Sequence, residues 1–388
     1  MSSRSNRRQG YAGFGALALI LVVVAGCNSP GATQPPGAGP LASAAPIVVP
    51  KESGANSTIG PAATVPPVTV DQITASYEYR DELITPLAHL YGTQLGDFVV
   101  ITVQNNNSSP IRIVAMSEVP NYTSQSKDTI DIAAGATEEI DQNPRLTTAA
   151  IDGLNSAHQA DVHVTVSYLD NGQSRTVLDQ TSTTLISSRR DFPWEIDGFD
   201  EHAEHQLIAA MVTPSDPSVE ELIRKAANYS SQHVMGDITD ASDALDQLGA
   251  IWQSEDKDYH LTYVSTTETF AAKSQRIRLP GEVLPEASGN CIELSLLYAA
   301  VAEALGLNAY IVLIPGHAYF LVDLDGQATN YEVIETTMIG RYAFADAVTE
   351  GESEFQTAAE HIKAGDTAYD IVDVAAARAK GITPIEWH

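Results

Sequence analysis

Apolar and polar positions change rhythm along this chain, and each rhythm predicts a different kind of element. From Val162 to Leu169 they alternate singly, with Val162, Val164, Val166 and Tyr168 on one side. A period of two marks a strand with one buried face. Asp170-Asn171-Gly172 follows as a hairpin turn and Arg175–Leu185 returns as its partner. Ile73–Arg80, Asp97–Gln104 and Ile111–Ser117 are further strand-like runs, with no strong helix among them. This spacing predicts a small all-β sandwich over residues 67–187. It holds no convergent cluster of polar residues, so a spacer or protein-contact module is the expectation.

Beyond residue 188 the period lengthens. Pro217, Ser218 and Glu221 predict a helix starting at Ser218, with a capping-box pattern. A second helix is expected from about Asp240 to Trp252, then a short strand at His260–Val264. Residues 291–305 are strong helix formers, apolar on two faces, and Gly306 is a natural stop. Asn308–Ile314 and His317–Val322 read as buried strands. Asp323–Gln327 reads as a turn, and Tyr331–Thr337 as the returning strand. Helix-like segments follow at Thr357–Ala364 and Ile371–Ala379. Glu350, Glu352 and Glu354 read as solvated surface. His202 and His205 stand three apart, but nothing completes a metal site around them, so a solvated polar face is expected there.

The N-terminus has another character. Arg4, Arg7 and Arg8 precede an apolar run from Phe14 to Ala25, which ends in Val24-Ala25-Gly26-Cys27. The run is short for a bilayer span. Its end resembles the lipobox of bacterial lipoproteins. That resemblance implies a signal peptide over residues 1–26, acylation of Cys27 and a membrane-anchored, extracytoplasmic protein. Residues 27–66 are rich in Pro, Gly and Ala and read as a flexible tether. The sandwich after it is similar in kind to immunoglobulin-like domains.

Charge removes one class of partner. The chain carries 50 acidic against 21 basic residues, a formal net charge of −29. No basic patch exists to neutralise phosphates, so nucleic acid is not an expected partner. The chain has only two cysteines. With Cys27 lipidated, Cys291 stands alone and cannot form an intrachain disulfide.

Cys291 has a context that a core cysteine does not need. Asn290 and Glu293 form a capping-box pattern, which puts the thiol in the first turn of a helix. The free N–H groups there stabilise a thiolate and can donate to an oxyanion beside it. His317 is the only histidine in an otherwise apolar run. A hairpin centred on Gly326 would set Glu335 opposite it, and Glu332 near Phe320. A bulge would alter that register.

Gly289-Asn290-Cys291, Gly316-His317-Ala318 and Ile334-Glu335-Thr336-Thr337 together resemble the three blocks of bacterial transglutaminase-like domains, within the papain-like thiol-enzyme superfamily. Gln275–Pro280 is similar to the lead-in to the Cys helix in such proteins. The resemblance spans about residues 215–340 and implies an α+β fold, a Cys helix packed on an antiparallel sheet, within a domain expected over residues 188–388. It implies Cys291 as nucleophile, His317 as base and Glu335 as the acid that orients it. Glu stands where Asp is commoner. The oxyanion would be met by the Cys291 N–H, with Gln275 or Asn290 as a side-chain donor. No calcium-site signature, metal or cofactor is expected. The chemistry is acyl transfer through a thioester, as hydrolysis or transamidation of a protein or cell-wall peptide. The rival expectation is a non-catalytic binding or scaffold lipoprotein that keeps the same fold.

Overall fold

The computed structural model describes residues 63–385 apart from residue 171, residues 266–272 and residues 328–329. The signal segment, Cys27 and most of the expected tether lie outside the described residues. The fold mixes 31% helix with 34% strand.

The N-terminal strands are β1 (Ala63–Val70), β2 (Ile73–Tyr79), β3 (Glu82–Leu83), β4 (Val99–Asn105), β5 (Ile111–Glu118), β6 (Ser126–Ile132), β7 (Thr137–Gln142), β8 (His158–Asp170) and β9 (Gln173–Ile186). They make two sheets, in the orders β1-β2-β4-β7 and β3-β9-β8-β5-β6. The alternation read in the sequence becomes one buried face per sheet. Ile73, Ala75 and Tyr77 point inward from β2, and Val162, Val164 and Val166 from β8. The Tyr77 and Ser182 hydroxyls join the two sheets at 2.7 Å.

Four of these strands, β1, β3, β6 and β7, escaped the sequence reading. In β1 the register against β2 shifts between Val65 and Val68, where Pro66 and Pro67 sit. Proline donates no ladder hydrogen bond and is tolerated at an edge or a bulge. Residues 63–66 are therefore strand rather than tether. β6 and β7 are mainly polar, because their outer faces are exposed. One short helix, α1 (Thr148–Ile151), lies between them and β8.

The second half comprises β10 (Asp191–Pro193), α2 (Glu201–Gln206), α3 (Pro217–Ala226), α4 (Ala241–Lys257), β11 (Thr262–Tyr263), β12 (Ser274–Arg276), α5 (Pro280–Val283), β13 (Ser288–Gly289), α6 (Cys291–Ala304), β14 (Asn308–Ile314), β15 (His317–Asp323), β16 (Tyr331–Ile334), α7 (Phe344–Ala364), β17 (Asp370–Asp373) and α8 (Val374–Ala379). Asp216, not Ser218, caps α3: its carboxylate accepts from Ser218 N at 2.8 Å, and Pro217 opens the helix. Proline fits there because the first N–H of a helix has no partner anyway.

Four strands form the antiparallel sheet β16-β15-β14-β17. Both of its faces are covered, which is why β14 and β15 read as continuous apolar runs. Ile311, Phe320, Val322 and Ile334 belong to the main core, with α6. Tyr310, Val312, Tyr319, Leu321 and Val333 form a second cluster with Ala358 and Phe355 of α7. His202 and His205 are not a solvated face. Both direct Nδ1 at one oxygen of Asp370, at 2.8 and 3.1 Å, and so pin α2 to the start of β17.

α7 comes unusually near β16. A Cβ added to Gly351 would lie 2.8 Å from the Val333 carbonyl oxygen and 3.0 Å from Glu335 N. Only glycine fits that contact. Gly351→Ala should cost roughly 1–3 kcal/mol through overpacking, more than the ~1 kcal/mol gained in helix propensity. Urea denaturation checks this; a variant as stable as the parent would mean that α7 is not seated on β16.

Candidate active site

The site is built around the start of α6. Residues 291–302 of this helix are buried without exception, so its first N–H groups have no water to turn to. The sequence supplies the partners. Asn290 Oδ1 accepts from Glu293 N at 3.0 Å, and Glu293 Oε2 accepts from Asn290 N at 3.0 Å. Glu293 is held in turn by Arg278, whose backbone N, Nε and Nη2 donate to it at 2.9, 3.0 and 2.7 Å. Arg278 Nη2 also donates to Ser288 O at 3.0 Å. One carboxylate thus fixes the lead-in segment, the cap and the helix start.

Cys291 is the first residue of α6 and is 8% exposed. His317 opens β15, directly after the Pro315-Gly316 turn. Its Nε2 donates to Glu335 Oε2 at 2.7 Å. The Cys291 thiol acts on the same ring. Burial pulls the His317 pKa down, but the hydrogen bonds to Cys291 and Glu335, and their charges, outweigh it and hold it up at about 10. Burial pushes the Glu335 carboxyl up, yet the hydrogen bonds from His317 and Thr337 win and leave it below its ordinary value.

Glu335 does stand beside His317, but not through the strand pairing expected from the sequence. The pairing is Phe320 with Ile334 and Val322 with Glu332, so Glu332 does not face Phe320. The hairpin is centred two residues' worth of register away from the expected pairing. A slip of two keeps each side chain on its own face, whereas a slip of one would have reversed it. β16 ends at Ile334, and Glu335 caps the short 3-10 turn Thr336–Met338 instead of pairing. One of its oxygens accepts from Thr337 N, at 2.9 Å, and from the Thr337 hydroxyl; the other takes His317. Thr337 received no role in the sequence reading. Its place in the Ile334–Thr337 block was the available signal.

The two oxyanion candidates are both engaged through their carbonyl oxygens. Gln275 Oε1 accepts from Trp194 Nε1 at 3.1 Å, and Asn290 Oδ1 is the helix cap. Only their amide N–H groups remain for an oxyanion.

A second carboxyl was missed. Glu354 Oε2 stands 3.6 Å from His317 Nε2, on the α7 side of the sheet. Glu354 is partly buried rather than solvated. Burial and the neighbouring Glu335 raise its pKa, against the pull of His317. Glu332 is raised to about 7, by burial first and then by Glu352. Two acids of the supposed surface cluster therefore face acids of the β16 segment across a narrow gap.

A thiol at a helix N-terminus, an imidazole bonded to it and a carboxylate behind the imidazole are the parts of a thiol enzyme that passes acyl groups. Residues 261–379 match the family model Transglut_core2, described as the transglutaminase-like superfamily. The chain carries a domain of that superfamily over this span. No curated protein matches it. One solved structure with some likeness is a crystal structure of a protein from Archaeoglobus fulgidus. It is 8% identical with a TM-score of 0.19, and the match covers 32% of this chain and 93% of that one. Another is a solution structure of a proposed late embryogenesis abundant (LEA) protein, 10% identical with a TM-score of 0.18, covering 32% and 71% respectively. At such TM-scores neither likeness bears on the fold.

Two predictions test the supports of the site. Arg278→Ala strands the buried Glu293 carboxylate, and breaking a buried pair costs about 3–5 kcal/mol; chemical denaturation should show a loss of that order. A carboxyl raised in the fold contributes stability below its unfolded value of 4.5, and that contribution is lost as pH climbs to about 7, the Glu332 case. Glu332→Gln should remove that part of the decline, so its melting temperature should exceed the parent's in mildly alkaline buffer and match or fall below it in acid. Parallel pH profiles would contradict the assignment.

Proposed function

We propose that the protein is a lipid-anchored, extracytoplasmic thiol hydrolase acting on amide bonds through Cys291, His317 and Glu335. One observation carries the reading: a single imidazole that interacts with a helix-terminal thiol is held by a buried carboxylate at 2.7 Å. A core cysteine has no use for that arrangement.

In the proposed reaction His317 Nδ1 takes the thiol proton and the Cys291 sulfur attacks the amide carbonyl carbon. The Cys291 N–H meets the oxyanion, with a Gln275 or Asn290 amide N–H as the side-chain donor. The C–N bond breaks as Nδ1–H passes its proton to the leaving amine, and a thioester forms. Water then attacks the thioester, giving a proton to His317 and returning the thiol. An amine in place of water makes the same sequence a transamidation. Glu335 keeps Nε2 protonated, so Nδ1 is always the working nitrogen, and Thr337 holds Glu335.

The two N-terminal sheets, with facing buried sides and a shared core, support an immunoglobulin-like sandwich that holds the thiol domain off the membrane or docks a partner. Domain limits of 67–187 and 188–388 follow from this reading, with the sandwich extended back to β1. The lipobox-like Val24–Cys27 supports the anchor, and the setting supports a protein or cell-wall peptide as substrate.

The test is alkylation of Cys291 by iodoacetamide in the full chain, read on its own peptide by mass spectrometry. An unassisted thiol is only a few per cent thiolate at neutral pH, so His317→Ala should slow the reaction roughly tenfold or more. A thiol that reacts only after denaturation would sink the hydrolase and favour a scaffold that keeps the fold.

A further inference from the structure

Glu354 has no part in the proposed reaction, yet it points at the same imidazole. We propose that His317, Glu335 and Glu354 form a binding site for a zinc-class divalent cation on the Nε2 side of the His317 ring.

The spacing is that of a metal site. One ligand atom from each residue lies within 4.8 Å of the others. His317 Nε2 is 2.7 Å from Glu335 Oε2 and 3.6 Å from Glu354 Oε2. Zinc binds imidazole nitrogen and carboxylate oxygen at about 2.0–2.2 Å, which sets tetrahedral ligands roughly 3.4 Å apart. The observed distances bracket that value, so small side-chain shifts would seat an ion.

The donor set also fits. One imidazole and two carboxylates suit zinc, leaving the fourth position for water. Calcium takes about six to eight oxygens and finds only two carboxylates here. Two carboxylates held side by side repel, and a cation between them removes that cost.

A third observation is independent of these. The Glu354 Oε2 atom is shielded from solvent and has no nitrogen or hydroxyl donor among the described residues; what it faces is the Glu335 carboxyl, and the two together must share a proton or a cation. His317 Nε2, at 3.6 Å, is beyond hydrogen-bond reach of it. The oxygen is also held in place. Gly351, one helical turn before Glu354, lies against the Val333 backbone and locks α7 onto β16. Access comes through the half-open side chains of His317 and Glu354, 23% and 33% exposed, while Glu335 at 4% forms the floor.

Nε2 cannot both donate a proton to Glu335 and bind an ion. An ion displaces that proton to solvent and breaks the bond that orients the ring. Only this consequence rests on the thiol-enzyme reading; the site itself does not.

Titration calorimetry of the full chain with Zn²⁺ should show one ion bound at His317. Losing even an outer partner of a ligand costs about 10–100-fold in metal affinity, so Glu354→Gln should weaken binding by at least about tenfold. Cys291→Ser should bind as the parent does. A Co²⁺ derivative should show ligand-field bands without a thiolate charge-transfer band, and Ca²⁺ should not compete. The proposal fails if the parent binds no zinc, if Ca²⁺ competes equally, or if Cys291→Ser loses binding while Glu354→Gln keeps it. Zinc binding with an inert Cys291 would leave the site standing and remove the hydrolase. His317-dependent alkylation without zinc binding would do the reverse.

Discussion

The start of a helix buried along its length is the constraint from which the rest of this domain follows. Its leading N–H groups cannot be left in an apolar core without partners. Glu293 satisfies the need from inside the helix, and Arg278 neutralises Glu293 from outside it. Together they fix which residue comes first in the helix, and that residue is Cys291. The thiol thereby meets the positive end of the helix dipole in a place from which water is largely excluded. Gly289 completes the approach: a Cβ there would lie 2.7 Å from Leu294 Cδ2.

Much of this was legible in the sequence because it is local. Asn290 and Glu293 are three apart, and a capping box needs nothing else. The strands from β14 to β16 announced themselves as apolar runs, and β8 and β9 as an alternating hairpin. What escaped was set by distant partners. β6 and β7 take their place from neighbouring strands, since their own residues are mostly polar. The His202 and His205 pair gains its meaning from Asp370, more than 160 positions on. Glu354 looked solvated because an acidic run carries no sign of the helix face that turns one of its members toward the sheet.

The α7–β16 contact shows how close packing and charge are combined. A glycine lets helix and strand backbones touch, and that closeness brings acids of both elements into a space that disfavours their charges. The carboxyls of Glu332 and Glu354 rise accordingly, while Glu335, with a cation and a threonine as partners, falls. Three carboxyls of one chemical type therefore have separate ionisation behaviour within one contact. Which of them is charged is decided by what donates to it.

The displaced hairpin register has a consequence for how this domain can vary. The chain between β15 and β16 can lengthen or shorten, but the alternation of the strands counts in twos. Slips of the strand pairing by an even number of residues return the β16 side chains to the face they occupied, and Glu335 still leaves the strand beside the histidine. Odd slips deliver it to the opposite face unless a bulge restores the count. The length of the loop is free of that rule, because the turn absorbs added residues while the buried faces of the strands hold the pairing.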